Sequence, residues 1–200
     1  VELMAAEPLV RDPVAFDWGA DGKLWVAEMI DYPLGKTGDG KEGGKVVYLE
    51  DTDADGSYDK STILLEGLNF PSGVRPWDKG VLITAAPDII YAEDTDGDGK
   101  ADKTRVVMSG FGTEDTHHIL HTLRWGFDGR LYFNQAIYIR THMETPHEGL
   151  RLESGGVWRL RPETLKAEIF LRGFCNPWGH HYDAFGQSFV TDGAGGQGLS

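Results

Sequence analysis

The sequence has a single cysteine, Cys175, so no internal disulfide can staple it. It has no apolar run long enough to cross a bilayer, and no membrane segment is expected within it. It has no basic excess either. Against 19 Lys and Arg stand 32 Asp and Glu, and a net charge of −13 makes nucleic acid and anionic membranes poor partners. No Cys-x-x-Cys-His occurs, so a c-type haem cannot be attached to these residues. Low-complexity tracts are missing too: the 27 Gly and 9 Pro are spread as turn punctuation. What is present, 40% apolar and 26% charged residues, describes a globular chain with enough core to fold. It opens at Val1-Glu2-Leu3 and stops at Gly198-Leu199-Ser200 within a repeating pattern, and is expected to be a piece of something longer.

The repeat is explicit. Glu50 to Lys60 reads EDTDADGSYDK, and Glu93 to Lys103, 43 residues on, reads EDTDGDGKADK. Short apolar runs flank both, Val46 to Leu49 and Ile63 to Leu65 around the first, Ile89 to Ala92 and Val106 to Met108 around the second. A second repeat interleaves. Four hairpin-like stretches turn at Asp21-Gly22, Lys79-Gly80, Asp128-Gly129 and Phe185-Gly186. Short strands and tight turns at this period predict an all-β fold, a β-propeller of four-stranded blades. About four blades fit in residues 1–200, read as one propeller domain or an incomplete portion of a six- or seven-bladed ring.

In each blade, strands A and B form the hairpin, C is the KVVYLE-type run and D follows the Asp loop. In the third blade Gly156 to Leu160 is strand C and Lys166 to Leu171 is strand D, with Arg161 to Thr164 in place of the Asp loop. Alternating direction puts the A–B and C–D turns at one end of a blade and the B–C and D–A connections at the other.

The Asp loops, Asp51, Asp53, Asp55, Asp59 and Asp94, Asp96, Asp98, Asp102, alternate carboxylates around Gly56 and Gly99. Ca²⁺ takes six to eight oxygens at about 2.3–2.6 Å, and the spacing suits it. Thr62 and Arg105 stand where an EF-hand has its Glu, so these are structural staples of another kind. The other reading is a plain Asp/Gly turn without metal.

Aligning the hairpins on their turn glycines brings Arg11, Asn69, His118 and Cys175 into register at the start of strand A, with Glu28, Ala86, Gln135 and Asp192 just after strand B. Convergent polar residues at one end of a propeller are the default site. His118 within THHILH is a candidate general base, because imidazole titrates near neutrality. The bland reading is a hydrogen-bonded loop histidine. A His-metal site is a third, and the spacing of His117, His118, His121, His180 and His181 matches no zinc motif. The long B–C connection from Ala136 to Gly155, with Tyr138, Arg140, His142 and His147, reads as a lid or a solvated insertion. Trp18, Trp77, Trp125 and Trp178 read as core packing between blades.

The runs LVRDPVAFDWGADGKLWVAEMIDYP, GGKVVYLEDTDADGSYD, GLNFPSG, APDIIYAEDTDGDGKAD and LRWGFDGRLY resemble the propeller domain of membrane-bound dehydrogenases of planctomycetes and verrucomicrobia, many of which carry a c-type haem domain. The resemblance covers almost the whole chain. More distantly, the pattern is similar to the glucose/sorbosone dehydrogenases, propellers that use pyrroloquinoline quinone (PQQ) with Ca²⁺. The resemblance implies a periplasmic or otherwise extracytoplasmic oxidoreductase acting on a sugar or polyol, with PQQ as cofactor, haem c in another domain and a cytochrome c as electron acceptor. It implies that His118 is the base and that the Cys175-Asn176 and Asp192 positions lie at the cofactor; with the aligned ring, this makes Arg11, Asn69, Gln135, Cys175, Asn176 and Asp192 the candidate cofactor-binding residues. It also implies a cofactor Ca²⁺ near Asp192 to Gly196, where Gly-Ala-Gly-Gly departs from the family's residues. The family's Arg-Asn-Pro is here Cys175-Asn176-Pro177, and a thiol cannot replace a guanidinium fork. A Ca²⁺-dependent lactonase using Glu28 and Asp192 is one rival reading, and a non-catalytic carbohydrate- or protein-binding propeller is another.

Overall fold

A computed structural model describes residues 1–35 and 43–193. These are all-β, with no helix long and apolar enough to cross a membrane among them. They form β-propeller blades. The first sheet is a meander of β1 (Pro13–Trp18), β2 (Leu24–Glu28), β3 (Gly44–Glu50) and β4 (Lys60–Leu68). The second has the order β5 (Pro71–Trp77), β6 (Gly80–Ala85), β7 (Asp88–Glu93) and β8 (Lys103–Ser109). The third joins β9 (His121–Trp125), β10 (Leu131–Gln135), β13 (Gly155–Arg161) and β14 (Lys166–Phe174). A fourth begins with the pair β15 (Pro177–Tyr182) and β16 (Ser188–Asp192). Within the third blade's B–C connection, β11 (Thr141–Glu144) and β12 (Gly149–Leu152) make an extra hairpin.

The chain divides into two compact units, Val1–Ala85 with Ile90–Arg105, and Ala86–Ile89 with the described residues from Val106 onward. In the first unit, strand β3 explains the apolar runs. Val46, Val47, Tyr48 and Leu49 are all buried, because both faces of the sheet are covered. The pleat sends them alternately to two clusters. Val46 and Tyr48 join Val74, Val81 and Ile83, whereas Val47 and Leu49 join Val10, Leu24 and Val26 beside Ala5. In the second unit the core is aromatic. Phe111 meets Phe133 edge-on at 5.6 Å and Trp158 at 5.9 Å, and Trp158 is fully buried in β13.

Two expectations about local structure need correction. The second blade's hairpin turns at Asp78-Lys79, since Trp77 pairs with Gly80 and Asp78 takes φ 53°. Gly80 is a strand residue, and a Cβ there would collide with the Ala92 carbonyl. Trp18 and Trp178 are not core residues either, being 56% and 53% exposed. Trp18 lies edge-on to Phe16 and donates its Nε1–H to the Tyr58 hydroxyl at 3.1 Å. The buried tryptophan is Trp158, on strand C rather than strand A.

Candidate functional site

The two ends of a blade carry different chemistry. At the A–B and C–D end of the first blade, the Tyr58 hydroxyl donates to the Gly22 carbonyl at 3.2 Å, tying loop to turn. Arg161 reaches the Asp128 carbonyl at 3.2 Å in the same way in the third. The Asp loops lie at this end. Asp51, Asp53 and Asp55 bring carboxylate oxygens within 4.8 Å of one another, as do Asp94, Asp96 and Asp98. The fourth aspartate of each motif does something else. Asp59 accepts from the backbone N–H and hydroxyl of Thr52 at 3.0 and 2.6 Å, and Asp102 accepts from the same groups of Thr95 at 3.1 and 2.7 Å. These hydrogen bonds hold the Asp59 carboxyl below its usual range. The cup is therefore three carboxylates wide, and Asp59 and Asp102 close the loop around it. Gly56 and Gly99 both sit at φ 93°, a conformation that side chains rarely adopt.

At the other end, the positions aligned by the turn glycines precede strand A instead of beginning it, by two residues at Arg11, Asn69 and Cys175 and by three at His118. Arg11 and Asn69 belong to the first unit; His118, Gln135, Cys175, Asn176 and Asp192 belong to the second. In the first unit, Glu28 accepts the Arg11 backbone N–H at 2.8 Å, and the buried Asp31 accepts that of Phe70 at 2.8 Å. Burial pushes the Glu28 carboxyl above its usual range, against the pull of that N–H. In the second unit, Asp192 accepts from the backbone N–H groups of Cys175 and Asn176 at 2.9 and 2.7 Å. A carboxylate ending strand B thus fastens the D–A connection in both units.

The second unit draws its candidates together. The Ala136 N–H reaches the His118 carbonyl at 3.4 Å, and the Ile137 N–H reaches that of Cys175 at 2.8 Å. Asn134 Nδ2 donates to the Pro177 carbonyl at 3.2 Å. His118 lies edge-on to Trp178 at 5.7 Å, and His121 lies against the same indole at 5.0 Å. The Nδ1 of His118 is buried with no partner among the described residues, which leaves Nε2 as the nitrogen turned to solvent. Asn134 and Asn176 each bury an unpartnered Oδ1. Buried polar atoms left over in this way gather where a ligand or ordered water belongs.

Gln135 is not available to a ligand. Its Nε2 lies within reach of the carbonyls of Ile139, Leu152 and Ser154, and its Oε1 accepts from the Thr141 hydroxyl and Trp158 Nε1. That exhausts an amide. Gln135→Leu is expected to cost roughly 2–4 kcal/mol, because it strands several buried partners at once; chemical denaturation measures it, and an unchanged midpoint would contradict the assignment.

The long B–C insertion is not a lid over His118. The tip of its hairpin is pinned toward the C–D loop, where the His147 Nε2 meets the Thr164 carbonyl at 3.0 Å. His142 is exposed on β11, and Tyr138 is 65% exposed. Nor do the histidines gather a metal: the groups of three or more possible ligands among the described residues are the two aspartate cups. His180 and His181 point to opposite faces, His180 buried with Nε2 on the Ser188 hydroxyl at 2.8 Å and His181 exposed. Of the segment Asp192 to Gly196, residues 194–196 lie outside the described residues.

Sequence reasoning missed Asn134, Thr122 and the role of His121. The motif THHILHT held the signal for the last two, a second histidine three places after His118 with a hydroxyl beside it.

The model of a family described as a domain of unknown function, DUF7133, matches residues 1–198. No curated protein matches the sequence. Among solved structures, the chain is similar to one from a nidogen/laminin complex, at 14% identity and TM-score 0.60, covering 94% of this chain and 59% of that one. It is similar to an oxidoreductase of Thermus thermophilus assigned as a glucose dehydrogenase, at 16% identity and TM-score 0.59, covering 96% and 61%. It is also similar to a luciferin-regenerating enzyme, at 8% identity and TM-score 0.58, covering 96% and 59%. The chain spans about three-fifths of the length of these structures, and at such identities the likeness speaks for the fold.

Proposed function

The chain belongs to the DUF7133 family, and from there we propose that it binds a sugar or polyol at the blade end where His118 lies and takes a hydroxyl proton during its oxidation. The observation that carries this reading is the pose of His118. Its buried Nδ1 faces inward beside Trp178, and its Nε2 is left to meet a ligand. A hydroxyl is a poor proton donor in water, and a neutral imidazole within hydrogen-bond reach lowers the barrier to its removal. The hydride leaving the same carbon needs an oxidant, and the resemblance implies PQQ. Two residues of the second unit that the resemblance places at its seat do not fit it: Cys175 offers no cation, and Asp192 adds a carboxylate beside it. A tricarboxylate needs positive partners. The hydride therefore goes to a two-electron acceptor that these two residues do not seat, either a quinone held by other cations or the dye supplied in the assay.

The aspartate cups suit Ca²⁺ in a purely structural role, at the opposite end of a blade from the kind of connection that carries His118. Three carboxylates, the first of them half-buried, supply only part of a calcium shell, which points to a weak site and a calcium-rich, extracytoplasmic setting. On this reading calcium raises the melting temperature, Asp53→Ala and Asp96→Ala each reduce the gain, and polyol affinity hardly moves. Identical melting curves in calcium and in chelator would contradict it, because a ligand that binds only the folded state must stabilise it.

The lactonase reading is less well supported, since both of its carboxylates, Glu28 and Asp192, are bonded to backbone N–H groups. The test is dye-linked oxidation of a panel of sugars and polyols, with and without added PQQ and calcium. Polyol-dependent dye reduction supports the proposal. Saturable binding without turnover supports the non-catalytic alternative, and hydrolysis of lactones supports the other.

A further inference from the structure

Thr122 is a β-branched residue in the left-handed region, at φ 58°, the second residue of strand β9. Such residues are true outliers there. The cause is a bulge: Tyr132 pairs with Arg124 and Asn134 with His121, so Thr122 and Leu123 together oppose Phe133. The bulge aims the Thr122 hydroxyl at two partners. It donates its only proton to the Trp178 carbonyl at 3.0 Å, and it meets His121 Nδ1 at 2.7 Å. With that proton committed, His121 Nδ1 must be the donor. This sets the tautomer. His121 carries its proton on Nδ1 and a lone pair on Nε2, and among the described residues that Nε2 is neither bonded nor sealed from solvent.

We infer that His121 is a second ligand-facing residue, whose Nε2 accepts a hydrogen bond from one hydroxyl of a neutral polyol while His118 meets another, and that Thr122 is the residue that positions it. This rests on the proposed sugar or polyol reading of the same site. Both rings lie on one indole, His118 at 5.7 Å and His121 at 5.0 Å, so both can touch one small molecule beside Trp178. Burial drives the His121 pKa down to about 4, with the nearby His118 acting in the same direction, so the ring stays neutral and accepting at ordinary pH. Strained backbone at a hydrogen-bonding relay is the pattern expected where orientation matters for binding.

The experiment has two arms. Nitrogen-resolved NMR of the histidine rings in the wild type should show His121 protonated on Nδ1. The tautomer should persist in Thr122→Ser and become mixed in Thr122→Val. A wild-type His121 protonated on Nε2 overturns the inference. Calorimetric titration with glucose and sorbitol should show binding roughly fivefold to tenfold weaker in His121→Phe, which keeps a ring on Trp178 and removes one acceptor. Equal affinity in that variant overturns the inference, as does no saturable binding of either probe to the wild type. His121-dependent binding without any dye reduction leaves it standing and removes the redox reading instead.

Discussion

His118→Ala is expected to lower polyol-dependent dye reduction by ~10²–10⁴-fold, the usual contribution of a general base, while leaving the fold in place. The fold should survive because the His118 side chain makes no hydrogen bond among the described residues, and what anchors its segment is backbone: its N–H on the Asp115 carbonyl at 3.3 Å and its carbonyl under Ala136 N–H. The loss should fall on turnover more than on affinity, because a proton in flight is stabilised chiefly in the transition state. His117→Ala is the control. That ring is exposed and paired with Asp115 at 3.0 Å, and its removal should leave turnover nearly unchanged. A His118→Ala variant with wild-type rate would remove the general-base role.

The second large effect is acid lability. His121 and His180 are 8% and 2% exposed, and burial depresses each pKa to about 4 from an ordinary 6.5, helped by His118 for the one and by Arg124 and His181 for the other. The unfolded chain takes up these protons near pH 6.5, and the folded chain resists them until about pH 4. Their contribution is therefore full above about pH 6.5 and is lost as the pH falls toward 4. Each costs about 1.4 kcal/mol per pH unit across that window, or roughly 3 kcal/mol in all. Melting curves in chelator at several pH values isolate this from calcium loss. Removing the buried imidazole–hydroxyl pair with His180→Phe and Ser188→Ala together should roughly halve the slope. A stability flat from pH 7 to 4.5 would contradict the burial argument.

Most of the blade architecture was legible because it is written in local chemistry. Short apolar runs and Asp-Gly turns specify hairpins within a few residues, and the duplicated Asp loop marks the repeat. Three features were not legible, each for a physical reason. Gly80 looked like a turn residue, yet it is glycine because a neighbouring strand's carbonyl leaves no room for a Cβ. Gln135 looked like a site residue because it is polar at the right register, but four of its five partners come from an insertion whose path no local pattern predicts, and the fifth is Trp158 on β13. The left-handed Thr122 arises from strand pairing across the sheet, which leaves no mark in the run of residues. His118 was found from register alone, and the orientation of its ring could come only from the fold.

The central claim is that the end of the blades bearing His118, and not the end bearing the aspartate cups, receives a hydroxyl-rich ligand. A crystal structure of the protein soaked with glucose or sorbitol tests it most directly. The account predicts a sugar hydroxyl within hydrogen-bond reach of His118 Nε2, beside Trp178. Density at the Asp51 or Asp94 loop with the His118 end empty would contradict it.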